Sequence, residues 1–246
     1  LDRALDIIEE IADSERNLNL TEISKKLGLH KSTVYRLLST LQYRGYVEKD
    51  ETNRYKSGLT LFSIGARVLN GLDLRQRIKP YLQNLKDKSG ETIHLGLLNG
   101  TKVIYIDKVE TSETIRMYSR VGRRISAYCT SLGKVLLAFS GPEKVNKILE
   151  KIEFEKMTEN TITSEREFRE HLKRVRKNGY AVDNEEQKEG IRCIGGPIFN
   201  HDEKIIAAFS IAGPTMRMTQ KKVNRLSDLI LSYSEKISAA FGYKKK

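Results

Sequence analysis

The sequence predicts an α+β chain. A small helical module closed by a two-stranded wing comes first, and a larger domain built on antiparallel strands follows. Three observations predict this. Apolar residues recur at helical spacing through the first 45 residues, with a glycine between two short helices. A polar Asp50-Glu51-Thr52-Asn53 turn then separates two short strand-forming stretches. From "ETIHLGLLNGTKVIYIDKVE" (91–110) the apolar period changes from about 3.6 to about 2. The hydrophobic content of 39% over 246 residues is enough for packed cores. No apolar run approaches the ~18–20 residues needed to span a bilayer, and no signal-peptide pattern is visible. The expectation is a cytoplasmic protein with no membrane partner.

The first helix is read from Leu1, Ala4, Leu5, Ile8 and Ile11, which share one face. Asn19 and Glu22 have the spacing of an N-terminal capping pair for a short second helix, whose core contacts are Ile23 and Leu27. Gly28 ends that helix, because glycine adopts positive φ without a steric penalty. A third helix starts near His30 or Lys31, buries Val34, Leu37, Leu38 and Leu41, and stops at Gly45. Two helices joined by a tight glycine turn make a helix-turn-helix, and "YVEKDETNRYKSG" (46–58) supplies the wing.

The third helix presents Lys31, Ser32, Thr33, Tyr35 and Arg36 on its polar face. Lys and Arg neutralise phosphate or read guanine edges. Ser and Thr bond phosphate or base, and the free N–H groups of a first helical turn favour anions. Lys49, Arg54 and Lys56 on the wing are placed to touch the DNA backbone. The formal net charge of +12 agrees with a polyanionic partner. Residues 1–57 are nevertheless neutral, with ten Lys/Arg and ten Asp/Glu, so the order of elements carries the reading more than charge does. A three-helix module that binds protein is the alternative for this region.

Residues 59–71 read as a connecting helix through Leu59, Phe62, Ile64, Ala66 and Leu69. A further helix runs from Leu74 to Gly90 with Pro80 inside it. Two strands flank Asn99-Gly100, a strong hairpin signal, and "ETIRMYSR" (113–120) reads as a third strand. "TSLGKVLLAF" (130–139) opens a short helix capped by Thr130 or Ser131, with Pro142 closing the region. Residues 165–177 form a basic helix. "YAVDN", "IRCIGGPIFN" and "KIIAAFSIAG" are strands, and a last helix from Met218 to about Phe241 buries Val223, Leu226, Ile230, Tyr233, Ile237 and Phe241. The expected domains are 1–57, a linker helix over 58–72, and 73–246.

Cys129 and Cys193 have no CxxC spacing, which argues against a disulfide framework or zinc finger. His94, Cys129, Asp183 and Cys193 are the residues from which a Cys–His dyad or zinc site would be built, but none has metal-ligand spacing. No HExxH, GxSxG or nucleotide loop is present. The chain is therefore read as a non-enzyme with no cofactor and no metal.

"LDRALDIIE", "GLHKSTVYRLLSTLQYRGYV", "YKSGLTLFSIG", "GETIHLGLLNGTKVIYIDKVE", "TSLGKVLLA", "NTITSEREFREHLKRVRKNGYAVDNEEQKEGIRCIGGPIF" and "AAFSIAGP" together resemble the IclR family of bacterial transcriptional regulators over nearly the whole chain. The resemblance implies a winged helix-turn-helix domain, a linker helix and a C-terminal effector domain of GAF/PAS-like architecture. It implies homodimers, often paired as homotetramers, on a near-palindromic double-stranded operator. It also implies control, more often as a repressor, by a small organic-acid or sugar-acid effector. Activation is the alternative within the family. A metal-binding sensor and a ligand-free architectural DNA-binding protein are the alternatives outside it.

Carried over by motif, the effector pocket comprises Ser131, Leu132 and Gly133 at a helix start, Asp183 at a strand end, Cys193, Ser210 and Ala212 on strands, and Met117 as an apolar wall on a preceding strand. Ala212 stands where the family often has serine, and Leu132 where small residues are usual. Each residue also has a plainer reading: Cys193 and Met117 as core, Asp183 as a solvated strand end, Ser131 as a helix cap.

Overall fold

The computed structural model describes residues 1–70 and 73–244. It divides into two compact units, the first ending at Asp73. Residues 71–72 of the predicted linker and the terminal Lys245-Lys246 lie outside the described residues.

The first unit contains helices α1 (Asp2–Asp13), α2 (Leu20–Leu27) and α3 (Lys31–Tyr43), a hairpin of β1 (Val47–Lys49) and β2 (Tyr55–Ser57), and helix α4 (Leu59–Asn70). The helical stripes meet in one core of Ile7, Ile11, Leu18, Ile23, Val34, Leu38, Leu41, Val47 and Tyr55. Burying each such large apolar side chain contributes roughly 1.5–3 kcal/mol before entropy is counted.

Local chemistry sets the boundaries. Asn19 and Glu22 form a reciprocal capping box on α2, and Gly28 ends α2 in the left-handed conformation at φ 63°. The wing turn is organised by Asp50. One of its carboxylate oxygens accepts from the Thr52 and Arg54 amides and the Thr52 hydroxyl, and the other accepts from Asn17 Nδ2 at 2.7 Å. These hydrogen bonds, that of Asn17 foremost, hold the Asp50 carboxyl well below the usual carboxylate range. Gly58 lies so close to the Gly45 carbonyl that any Cβ there would sit 2.2 Å from it. That approach seats the first turn of α4 on the end of α3, where the Thr60 hydroxyl donates to the Arg44 carbonyl.

The second unit is built on a six-stranded, wholly antiparallel sheet in the order β5-β4-β3-β8-β7-β6. Its strands are β3 (Thr92–Asn99), β4 (Lys102–Val109), β5 (Arg124–Ser126), β6 (Ala181–Asn184), β7 (Ile191–Phe199) and β8 (Ile205–Pro214). Helix α5 (Asp73–Ser89) precedes them. Helices α6 (Ser131–Ala138), α7 (Pro142–Leu149) and α8 (Glu165–Asn178) lie between β5 and β6, and α9 (Gln220–Ala240) closes the chain. One face of the sheet receives α9, whose Ile230 side chain fits over Gly196. Tyr233 of α9 bonds Asn84 of α5, so both helices cover that face. The opposite face is covered by α6, backed by α8.

Four expectations are corrected. Residues 113–120 are not a strand. The free edge of β4 is taken by Arg124–Ser126, and the 113–120 backbone is held by side chains instead: Arg217 Nη1 donates to the Ile115 carbonyl and Lys108 Nζ to that of Ser119. Met117 is accordingly a half-buried loop residue and not part of a strand. Pro142 opens α7 at its first turn, where a missing N–H costs nothing, instead of closing a region. Phe241 is only partly covered; it follows α9 and stacks under Arg77, 4.2 Å from its guanidinium.

Candidate nucleic-acid interface and ligand chamber

On α3 the apolar positions Val34, Leu38 and Leu41 face the core, which leaves Lys31, Ser32, Tyr35 and Arg36 exposed and Thr33 half-exposed. No side chain caps the N-terminus of α3. Its first-turn amides and dipole therefore point outward beside Lys31. A groove of about 320 Å³ runs between this face and the wing, lined by Asn19, Leu20, Thr21, Tyr35, Lys49, Asn53 and Tyr55. Thr21 joins the predicted Tyr35 and Lys49 there. Its position one residue into α2 gave no distinguishing signal in the sequence. The wing cations differ from one another. Lys49 lies over the Tyr55 ring and is exposed, whereas Lys56 pairs with Glu48 at 3.4 Å. Arg54 is turned inward: its Nη1 donates to the Asn17 carbonyl and to Glu22 Oε2, tying the wing to α2.

In the second unit, strand register decides which side chains meet, because directly paired residues project to the same face. Asp183, Cys193, Ala212 and Thr92 form one cross-sheet row. Gly195, Ser210 and His94 form the next. The start of α6 rests on these rows. Ser131 Oγ approaches within 3.3 Å of the position a Cβ on Gly195 would take, and Leu132 packs over Gly96. Seven of the eight residues taken by motif are thus brought to one enclosed region: Ser131, Leu132, Gly133, Asp183, Cys193, Ser210 and Ala212, all buried. Met117 stands apart from them in sequence position, half-buried on its loop.

Thr130, not Ser131, caps α6 by accepting from the Gly133 amide at 3.3 Å. That amide is spent inside the helix, whereas the Ser131 and Leu132 amides have no intrahelical acceptor.

Lys134, Glu186 and Asp183 are buried together beside these rows. Lys134 is wholly buried, and its ammonium donates to the Val182 carbonyl at 3.0 Å and to Glu186. Asp183 accepts from the Glu186 amide at 2.8 Å, yet burial pushes its carboxyl up to about 7, with Lys134 pulling it down and Glu186 pushing it up. Burial also raises both thiols, Cys129 to about 12 and Cys193 well above the usual range. Neither presents a thiolate nucleophile near neutral pH.

His94 is completely buried beside Ser210, stacked on Tyr105 with ring centroids 4.4 Å apart, and its Nε2 lies 2.8 Å from the Ser119 hydroxyl. This buried cluster of His94, Tyr105 and Ser119 was not anticipated from sequence. The only signal was the alternation of β3, which puts His94 on the Thr92 side. Among the described residues no three His, Cys, Asp or Glu side chains gather as metal ligands, and no helix is long and apolar enough to cross a membrane.

A winged helix-turn-helix with an uncapped, cation-bearing recognition helix, followed by a sheet domain, defines a DNA-binding transcription regulator. Comparison with known proteins agrees. Residues 1–51 match the IclR helix-turn-helix domain, and residues 66–239 match the bacterial transcriptional regulator IclR C-terminal domain. The chain belongs to the IclR family. It is 41% identical over 230 residues to the HTH-type transcriptional regulator KdgR of Escherichia coli, covering 93% of this chain and 88% of that protein. To the transcriptional repressor IclR of E. coli it is 32% identical, covering 98% and 89%. The crystal structure of the Thermotoga maritima IclR superposes with a TM-score of 0.75 at 35% identity, covering 98% of each chain. The two E. coli relatives are regulators of transcription.

Proposed function

We propose that this protein is a cytoplasmic repressor that releases its operator, or binds it differently, when a small organic acid or sugar acid enters the second unit. The observation that carries the reading is that register and packing gather Ser131, Asp183, Cys193 and Ser210, all buried, where the start of α6 rests on the sheet, in a chain whose other unit is a DNA-binding module. First-turn amides of a helix suit a carboxylate. Leu132 and Ala212 supply apolar wall. An ionised Asp183 would repel an anionic ligand, so, unless Asp183 is itself protonated, the effector is expected to carry a hydroxyl, or a carbonyl that hydrates, next to its acid group.

On DNA, each protomer of a homodimer would place α3 in a major groove of a near-palindromic site. Lys31, Ser32, Thr33, Tyr35 and Arg36 would meet bases and phosphates, and Lys49 and Lys56 the flanking backbone. Arg54 would steady the wing. The dimer is supported by apolar surface with no partner in the protomer: Leu1 and Leu5 on α1, and Leu59, Phe62 and Val68 on α4, are all at least half exposed. Pairing of dimers into tetramers would fall to the second unit. The test is operator binding by fluorescence anisotropy, with and without each acid of a panel that stabilises the protein thermally. An acid that raises the melting midpoint and shifts operator affinity supports the reading. Sequence-independent DNA binding, or stabilisation with no change in operator affinity, contradicts it.

A further inference from the structure

Residues 1–57 carry no net charge, so the +12 of the chain belongs to the residues that follow, and the DNA-binding elements do not account for it. Part of it lies on the basic helix α8. Arg166, Arg169, Lys173 and Arg176 recur at intervals of three and four residues, which lines them up along one side of the helix. That side borders a cleft of about 370 Å³, within the roughly 300–1,000 Å³ range of small-molecule sites. The floor of the cleft is apolar. Leu137 and Ala138 at the end of α6, Val145 of α7 and Leu172 of α8 form it, and all four are buried. None of the residues lining the cleft belongs to the motif-derived set at the start of α6.

The four cations differ in what already engages them. Arg169 pairs with Glu165 at 2.7 Å and donates to Asn146 Oδ1 at 2.9 Å. Lys173 pairs at 2.6 Å with Glu170, the one carboxylate among the described residues that line the cleft. Arg176 is fixed at the end of α6, donating to the Ala138 and Ser140 carbonyls at 2.8 and 3.3 Å. Arg166 is exposed and makes no hydrogen bond or ion pair among the described residues. Its guanidinium is free to turn onto an anion at the mouth of the cleft. A cationic rim alone would be satisfied by water, and an apolar floor alone would select no charge. Together they select a ligand with an anionic head and an apolar body.

We propose that the cleft between α6, α7 and α8 is a ligand site for a medium-chain monocarboxylate, its tail on Leu137, Val145 and Leu172 and its head on Arg166. The site is separate from the start of α6, and it stands whether or not an acid binds there. Arg169 and Lys173, already paired, add to the positive field along the rim without being spent on the ligand.

The experiment titrates the full chain calorimetrically with butyrate, hexanoate, octanoate and the uncharged octanamide. Affinity should rise along the acid series by roughly two- to fourfold per added methylene, because each is buried against the floor. Octanamide should bind at least about threefold more weakly than octanoate. Arg166→Gln should lower octanoate affinity about threefold or more and leave octanamide affinity unchanged, whereas Arg166→Lys should keep octanoate affinity within about twofold. Arg166 is exposed, so neither substitution disturbs a packed contact. A crystal structure of the octanoate complex should place the tail on Leu137 and Val145. Affinity independent of chain length, equal octanoate affinity in Arg166→Gln and the parent, or octanoate found at the start of α6 overturns the proposal. So does a parent that binds no octanoate at millimolar concentration; capture of an acidic Glu/Leu helical peptide by that parent would give the cleft to a protein partner instead.

Discussion

Replacing Lys134 by Met tests whether the buried ion pair beside the chamber organises the second unit. Methionine keeps most of the length and volume of the stem and removes the ammonium. The wild-type Nζ is buried and bonds Glu186 and the Val182 carbonyl. Without it the Glu186 carboxylate, with 7% of its side chain exposed, is left buried beside Asp183. Its second oxygen already lacks a partner. Breaking a buried pair from one side costs about 3–5 kcal/mol. For a unit of this size each kcal/mol moves the melting midpoint by roughly 2–4 °C, so Lys134→Met should melt about 6–20 °C below the parent. Adding Glu186→Gln removes the stranded charge and should recover at least half of that loss. Differential scanning calorimetry at pH 7.5 reads all three proteins. A Lys134→Met midpoint within about 2 °C of the parent, or a double variant less stable than the single, would refute the argument that the charge of Glu186 depends on Lys134.

Asp183 makes stability depend on pH. Its carboxyl is raised to about 7 in the folded state, chiefly by burial, from 3.8, with Lys134, Glu186 and Cys193 as its charged or titratable neighbours. The folded protein therefore holds this proton more tightly than the unfolded chain. The contribution of Asp183 should fall as pH rises from about 4 to 7 and level off above that. Asp183→Asn should remove this component, so that the variant-minus-parent difference in melting midpoint grows over that window; a difference independent of pH would show that Asp183 is not buried as described. Phe62→Glu places a charge in the exposed apolar stripe of α4 and should convert a sedimenting dimer into a monomer at micromolar concentration, with operator affinity weakened. A Phe62→Glu protein that remains dimeric would put the pairing surface elsewhere.

The first unit was legible in sequence because its determinants are local. The Asn19–Glu22 box, the left-handed Gly28 and the helical stripe of Val34, Leu38 and Leu41 each act within a few residues, and each forms as read. The Asn99-Gly100 hairpin is legible for the same reason. Errors came where partners are far apart in sequence. The 113–120 segment alternates like a strand, but the edge it would have used belongs to Arg124–Ser126, and its carbonyls are taken by Lys108 and Arg217. Pro142 is equally compatible with ending one element and starting another, and only the presence of α7 decides between them. The family motifs named the α6 start, Asp183, Cys193 and Ser210, which strand register and helix packing bring close together. They did not point to the buried contact of His94 with Ser119, 25 residues away on a loop, or to the inward turn of Arg54 toward Asn17 and Glu22.

The central claim is that an acid held beside Asp183 controls DNA binding by α3, and operator titrations of Asp183→Ala test it most directly. Coupling requires that the acid bind the two functional states with different affinity. The parent should show operator affinity that changes with the acid. Asp183→Ala should show none of that response while keeping acid-free operator affinity within about a factor of ten, roughly 1.4 kcal/mol. A variant that responds to the acid as the parent does would contradict the account and make Asp183 a buried structural residue of the sheet.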